Sequence, residues 1–211
     1  EGERNMNLWY ETGYHLCKFL GSIFFSFKVL HGERMIEEGP AILAANHQSF
    51  LDPPLAGLAS RRQLHILARR SLLDWPVLGK LMQKVNVIPV NRGGADMTAL
   101  KALIRVLNNG GATLMFPEGT RSRNGQLQRG QPGIGLVIAK TRAPVVPLRI
   151  FGAYEALPPG EKSFRASPVT VVVGEPLYFT DADFEGAQGN ELYQRLSDQV
   201  MAAIAAIEYE D

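Results

Sequence analysis

Six short segments, at 41–45, 63–67, 85–90, 112–116, 145–150 and 169–173, most of them apolar runs rich in branched residues, recur beyond Gly32. Runs of this length, bounded by turn-forming residues, read as buried strands. Between the third and fourth, residues 96–107 place Met97, Leu100, Leu103, Ile104 and Leu107 on one helical face, with Gly110 as a stop signal. Residues 190–207 carry a second helical pattern. Strands that alternate with helices need crossover connections, which lay helices on the faces of a largely parallel sheet. The expected fold is a single α/β domain whose ligands gather at the carboxyl ends of the strands. A chain of 211 residues, 45% hydrophobic and 20% charged, is long enough to bury the core of one such domain.

Residues 8–30, LWYETGYHLCKFLGSIFFSFKVL, precede these runs. Leu16, Leu20, Ile23, Phe27 and Leu30 recur at helical spacing, and Phe19, Phe24 and Phe25 widen the stripe. A bilayer span needs about 20 apolar residues, and Glu11, His15, Lys18 and Lys28 interrupt this one. An interfacial helix fits better, its apolar side dipping roughly 5–10 Å into lipid. The alternative is a helix packed on the domain's own core. A secretory signal is disfavoured, because charges precede and split the apolar run. Residues 1–31 are therefore assigned to a membrane-interface helix and residues 32–211 to the folded domain.

The net charge of +1 hides a strong asymmetry. Residues 61–105 carry +7 and residues 106–150 carry +5, against −3 for residues 1–60 and −8 for residues 151–211. A basic middle calls for an anionic partner, whether phosphate on a small molecule, a phospholipid surface or nucleic acid. Nucleic acid is the weakest of these, since the basic residues fit no recognisable binding motif. The one cysteine, Cys17, lies among apolar neighbours, so neither a disulfide framework nor a thiolate metal cluster can be built. A reducing compartment is the fitting one.

The residues that carry chemistry fall just after predicted strands. In LAANHQSFLD, residues 43–52, His47 and Asp52 stand five apart. On one continuous helix that spacing leaves side chains some 140° apart, so a turn must bring them together. Asp52-Pro53-Pro54 has the pattern of a helix start, an N-cap followed by proline. An aspartate held there could bond one imidazole nitrogen and leave the other as a general base. Ser49-x-x-Asp52 is equally a capping-box pattern, in which Asp52 merely satisfies backbone amides. FPEGTRS, residues 116–122, follows another predicted strand. Pro117 and Gly119 suit a tight turn whose amides, with Arg121, suit a phosphate. An ordinary turn with solvated arginines is the alternative. Arg92, in VIPVNRGG, is a further cation beyond the 85–90 run.

NHQSFLD followed by FPEGTRS resembles the glycerolipid acyltransferase family, most closely its bacterial 1-acyl-sn-glycerol-3-phosphate (lysophosphatidate) acyltransferases. VIPVNR resembles the family's arginine-bearing block and APVVPLRI, residues 143–150, its proline-bearing strand, so the resemblance covers nearly the whole chain. It implies that His47 is a general base oriented by Asp52. It implies that Glu118, Gly119, Thr120 and Arg121 bind a glycerophosphate acceptor, with Arg92 joining at the phosphate. Where relatives have an alanine-lysine pair this chain has Ala68-Arg69, which makes Arg69 a substitute for that lysine.

The implied reaction moves an acyl chain from an acyl thioester, acyl-CoA or acyl-carrier protein, to the free hydroxyl of lysophosphatidate. Glycerol-3-phosphate or another lysophospholipid are the alternative acceptors. No metal or prosthetic group is implied. Removing a hydroxyl proton as oxygen attacks a thioester suits a neutral imidazole near pH 7. The chain has no G-x-S-x-G elbow and its cysteine lies far from His47 in sequence, so direct transfer is favoured over an acyl-enzyme. A thioesterase would use the same pair on water, and a non-catalytic lipid-binding module would use the basic region for attachment alone. The partners expected are a phospholipid membrane surface, a lysophospholipid acceptor and the acyl donor, with no nucleic acid. The expected location is peripheral, on the cytoplasmic face of the inner membrane.

Overall fold

The computed structural model describes residues 8–74, 78–82, 86–90, 96–161 and 163–209. Among them, seven strands form one sheet: β1 (Lys28–Leu30), β2 (Ala41–Ala45), β3 (Leu64–Arg69), β4 (Val87–Val90), β5 (Ala112–Met115), β6 (Val145–Phe151) and β7 (Thr170–Val173). Their order is β1-β7-β6-β2-β5-β3-β4. The block β6-β2-β5-β3-β4 is parallel throughout. β7 runs antiparallel to β6, and β1 is parallel to β7. All five residues of the central strand β2 are buried, as a strand covered on both faces requires.

Eight helices flank the sheet among the described residues: α1 (Leu8–Phe25), α2 (Asp52–Leu58), α3 (Arg70–Leu73), α4 (Leu78–Met82), α5 (Met97–Asn108), α6 (Pro132–Thr141), α7 (Ala153–Ala156) and α8 (Gly189–Ala205). On one face, Leu43 and Leu114 pack with Leu55 of α2 and Phe25 of α1. On the other, Ile42 and Met115 pack with Leu103 of α5, Ile138 of α6 and Val200 of α8. The α5 start is fixed locally, because the Asp96 carboxylate accepts from the amides of Thr98 and Ala99 at 3.0 and 3.2 Å.

The six predicted strands are all present, to within a few residues at their ends. The N-terminal helix is shorter than its periodicity indicates. It stops at Phe25, Ser26 takes a left-handed φ of 41°, and the Phe27 amide turns back to the Gly21 carbonyl at 3.2 Å. Phe27 packs on the core, and Leu30 belongs to β1 rather than to a helical stripe. The sheet therefore begins inside the segment assigned to the helix. What overrides the periodicity is pairing with β7, a strand far along the chain.

Where α6 crosses α8 the packing admits no side chain. A Cβ added to Gly135 would lie 1.8 Å from the Tyr193 carbonyl oxygen, whereas one added to Gly133 would meet nothing closer than Leu100 at 3.9 Å. Gly135→Ala should therefore lower stability by about 1–3 kcal/mol or more as the helices are forced apart. Gly133→Ala should be neutral or stabilise by up to ~1 kcal/mol, because alanine is the better helix former. Paired denaturant titrations of the two variants measure the contrast.

Candidate active site

The parallel order β2-β5-β3 sets three strand ends side by side, and each carries one part of the site. β2 leads into the NHQSFLD segment, β5 into FPEGTRS, and β3 ends at Arg69. The first loop is anchored before any chemistry is considered. The Asn46 side chain extends the β2–β6 ladder by one step, its amide donating to the Ile150 carbonyl at 3.1 Å and its oxygen accepting from the Ile150 amide at 2.7 Å. Gln48 donates to the same carbonyl at 2.9 Å.

The turn required between His47 and Asp52 is present. His47 Nδ1 lies 2.8 Å from Asp52 Oδ2, and that oxygen also accepts from the amides of Gln48 at 2.6 Å and Ser49 at 2.7 Å. An oxygen facing two N–H donors is an acceptor, so Nδ1 donates to it, and in the neutral ring Nε2 then carries the lone pair. The two readings of Asp52 are not exclusive, since one carboxylate oxygen serves both the backbone and the imidazole. Asp52 is the first helical residue, however, and the N-cap is Leu51. Ser49 Oγ accepts from Leu51, so only the Asp52 half of a capping box forms. Asp52 is fully buried and the His47 side chain is 19% exposed. The imidazole stacks on Phe116, ring centroids 4.1 Å apart.

FPEGTRS forms the expected tight turn, closed by the Gly119 amide on the Phe116 carbonyl at 3.0 Å, with Gly119 at φ 71°. That amide is used in closing the turn, and the positive φ is one that glycine adopts readily. Glu118 is likewise engaged within the protein. It is 3% exposed and its carboxylate points into the fold, accepting from the His47 amide at 2.9 Å and from Gln128. Burial pushes the Glu118 carboxyl above its ordinary value, opposed by these donors. Thr120 is exposed and gives its carbonyl to Gln128 at 3.2 Å.

Arg121 lies with its guanidinium carbon 3.5 Å above the centre of the Phe50 ring, which is 48% exposed. Its Nη1 is buried and has no partner among the described residues. Burial, and then the neighbouring Arg69, pull this guanidinium below its ordinary value, while Asp52 opposes them. Arg121, in the loop after β5, thus lies within electrostatic reach of both Arg69 at the end of β3 and Asp52. Arg92 lies outside the described residues. Sequence reasoning passed over Asn46, Gln48, Phe50 and Gln128. For Asn46 and Gln48 the available signal was a pair of side-chain amides directly after a buried strand, where a ladder must be ended or extended.

Comparison with known proteins follows the same lines. The sequence profile of the Acyltransferase family matches residues 27–151. A chloroplastic 1-acyl-sn-glycerol-3-phosphate acyltransferase from Brassica napus is 32% identical over 148 residues, covering 68% of this chain and 42% of that protein. The 1-acyl-sn-glycerol-3-phosphate acyltransferase of Bacillus subtilis is 27% identical over 184 residues, covering 86% and 87%. This chain thus spans about two fifths of the length of the Brassica napus relative and most of the bacterial one. The crystal structure of the 1-acyl-sn-glycerophosphate acyltransferase PlsC from Thermotoga maritima superposes with a TM-score of 0.70 at 26% identity, over 92% of this chain and 75% of that one.

Proposed function

This chain belongs to the glycerolipid acyltransferase family, and we propose that it transfers an acyl chain from acyl-CoA or acyl-carrier protein to lysophosphatidate, giving phosphatidate. The observation that carries this reading is the buried Nη1 of Arg121, which has no partner among the described residues, on the same turn that bonds the main chain of His47, whose Nδ1 is already held by Asp52. A guanidinium nitrogen without a protein acceptor suits a phosphate oxygen, and Arg69 adds a second positive charge. With the acceptor held by its phosphate, His47 Nε2 takes the proton of the free hydroxyl as that oxygen attacks the thioester carbonyl. Asp52 stabilises the imidazolium that forms. The tetrahedral intermediate then expels the thiolate, which recovers the proton from Nε2. The reaction proposed uses no metal or prosthetic group.

Purified protein given lysophosphatidate and acyl-CoA, or acyl-carrier protein, should yield phosphatidate. Free fatty acid as the main product would make the chain a thioesterase, and no product would leave a binding module.

The membrane part of the proposal rests on α1. Its inner side is fixed to the body, with the Tyr10 hydroxyl on the Arg62 carbonyl at 3.4 Å and the Tyr14 hydroxyl on the Leu58 carbonyl at 3.2 Å. Its outer side leaves Leu16, Phe19 and Ile23 exposed at 54, 63 and 57%. No helix among the described residues is long and apolar enough to cross a membrane. An amphipathic helix lying in the interface is the arrangement this supports. The donors proposed imply the cytoplasmic face. Phe19→Ser with Ile23→Ser should weaken vesicle partition at least roughly tenfold, since each apolar side chain is worth about 1.5–3 kcal/mol on burial. Flotation with anionic vesicles measures this, and activity on a soluble short-chain acceptor should be spared. Unchanged flotation would place membrane docking elsewhere.

A further inference from the structure

We infer that Glu118 and Gln128 are positioning residues: together they fix the main chain of His47 relative to Arg121, and Glu118 does not meet the acceptor. The inference rests on the acyl-transfer reading of this site. It starts from the destination of each oxygen. Glu118 Oε1 accepts from the His47 amide at 2.9 Å, across 71 residues of sequence. Oε2 accepts from the Gln128 amide at 3.1 Å and from Gln128 Nε2 at 3.0 Å. Three N–H donors therefore meet the carboxylate of a residue that is 3% exposed. A carboxylate so engaged has little capacity left for a ligand, and its charge would repel a phosphate.

The opposite pole of the same residue is held from the same turn. The Ser122 amide donates to the His47 carbonyl at 2.7 Å. Both main-chain polar groups of His47 thus end on residues 118–122, the turn that also carries Arg121. Phe116 supports the ring face and Asp52 holds Nδ1, so Nε2 is the ring nitrogen these contacts leave for chemistry. The distance between general base and phosphate-binding cation is set by this clamp.

Gln128 completes it from a loop outside both motifs. Besides binding Glu118, its Nε2 donates to the Thr120 carbonyl at 3.2 Å. The loop itself is closed by the Gln131 amide on the Pro117 carbonyl at 2.8 Å and by the Tyr154 hydroxyl on the Arg123 carbonyl at 2.9 Å. Gln128 is half-buried, so its truncation should leave the domain folded. Misplacing a reacting group by about 1 Å can cost as much as 10²-fold in rate.

The test compares Gln128→Ala, Glu118→Gln and the exchange variant Glu118→Gln with Gln128→Glu, using lysophosphatidate and acyl-CoA, with thermal melts to verify folding. Gln128→Ala should lower kcat about tenfold and leave the acceptor KM within about twofold. Glu118→Gln should lower kcat further, because its amide group turns donors toward donors. The exchange variant should recover part of that loss, since the amide introduced at position 118 can again bond a carboxylate at position 128. The His47 amide proton, bonded to a carboxylate, should resonate downfield in a 15N-labelled sample and move upfield in Glu118→Gln. A raised acceptor KM at unchanged kcat would make Glu118 an acceptor ligand and overturn the inference, as would unaltered kinetics in Gln128→Ala. If the wild-type chain formed no phosphatidate, the functional reading would fail instead. The amide shift would then decide the clamp, and an unmoved shift would refute it.

Discussion

Replacing His47 with alanine is expected to remove nearly all acyl transfer, by about 10²–10⁴-fold in kcat, while the chain stays folded. The side chain is 19% exposed and, among the described residues, its hydrogen bond is to Asp52, so its loss opens little of the core. Its main-chain bonds to Glu118 and Ser122 survive truncation. Asp52→Asn is the sharper experiment. An asparagine oxygen placed where Oδ2 lies keeps all three donors satisfied, including Nδ1. The amide nitrogen then occupies the Oδ1 position, which is buried and has no partner among the described residues. Stability should drop by about 1–3 kcal/mol for that unsatisfied group. Turnover should fall far more, roughly 10²-fold or beyond, because the charge that stabilises the imidazolium is gone. A variant with a lowered melting temperature and intact kcat would show that Asp52 only satisfies the amides of Gln48 and Ser49.

Arg121→Ala should raise the KM for lysophosphatidate about 10–100-fold and leave the KM for the acyl donor nearly unchanged. A hydrogen bond to a charged group is worth about 1.5–3 kcal/mol, and in the proposed reaction the guanidinium offers such bonds to the acceptor's phosphate. Lysine should not rescue it. It lacks the planar fork, and a compact ammonium stacks less well on the Phe50 ring that lies 3.5 Å beneath the guanidinium. Phe50→Leu should show a smaller loss of the same kind, since the ring holds the cation in place without touching the phosphate. Steady-state kinetics with each substrate varied in turn separate these outcomes. Equal damage toward donor and acceptor would mark Arg121 as a structural residue.

The amino-acid sequence determined whatever depends on neighbours a few residues apart. Apolar runs marked β2 through β7, most plainly β2, β5 and β7, which are buried at every position as strands covered on both faces are. Pro117 and Gly119 marked the tight turn after β5, and Asp52-Pro53-Pro54 marked the start of α2 to within one residue. That His47 and Asp52 share a turn was legible for the same reason. Only the tertiary structure decided where groups with distant partners point. Lys28–Leu30 reads as helix locally and becomes an edge strand because β7 offers it a ladder. Glu118 stands in a segment suited to a phosphate, yet its carboxylate turns inward, where amides from positions 47 and 128 need an acceptor more than solvent does. Phe50 looks like part of an apolar run, and it becomes the platform under Arg121 only because β2 and β5 are adjacent in the sheet. Local pattern records burial and backbone geometry, whereas a polar group 71 or 104 residues from its partner, as at Glu118 and Asn46, is placed by the pairing of strands, which no short window of sequence contains.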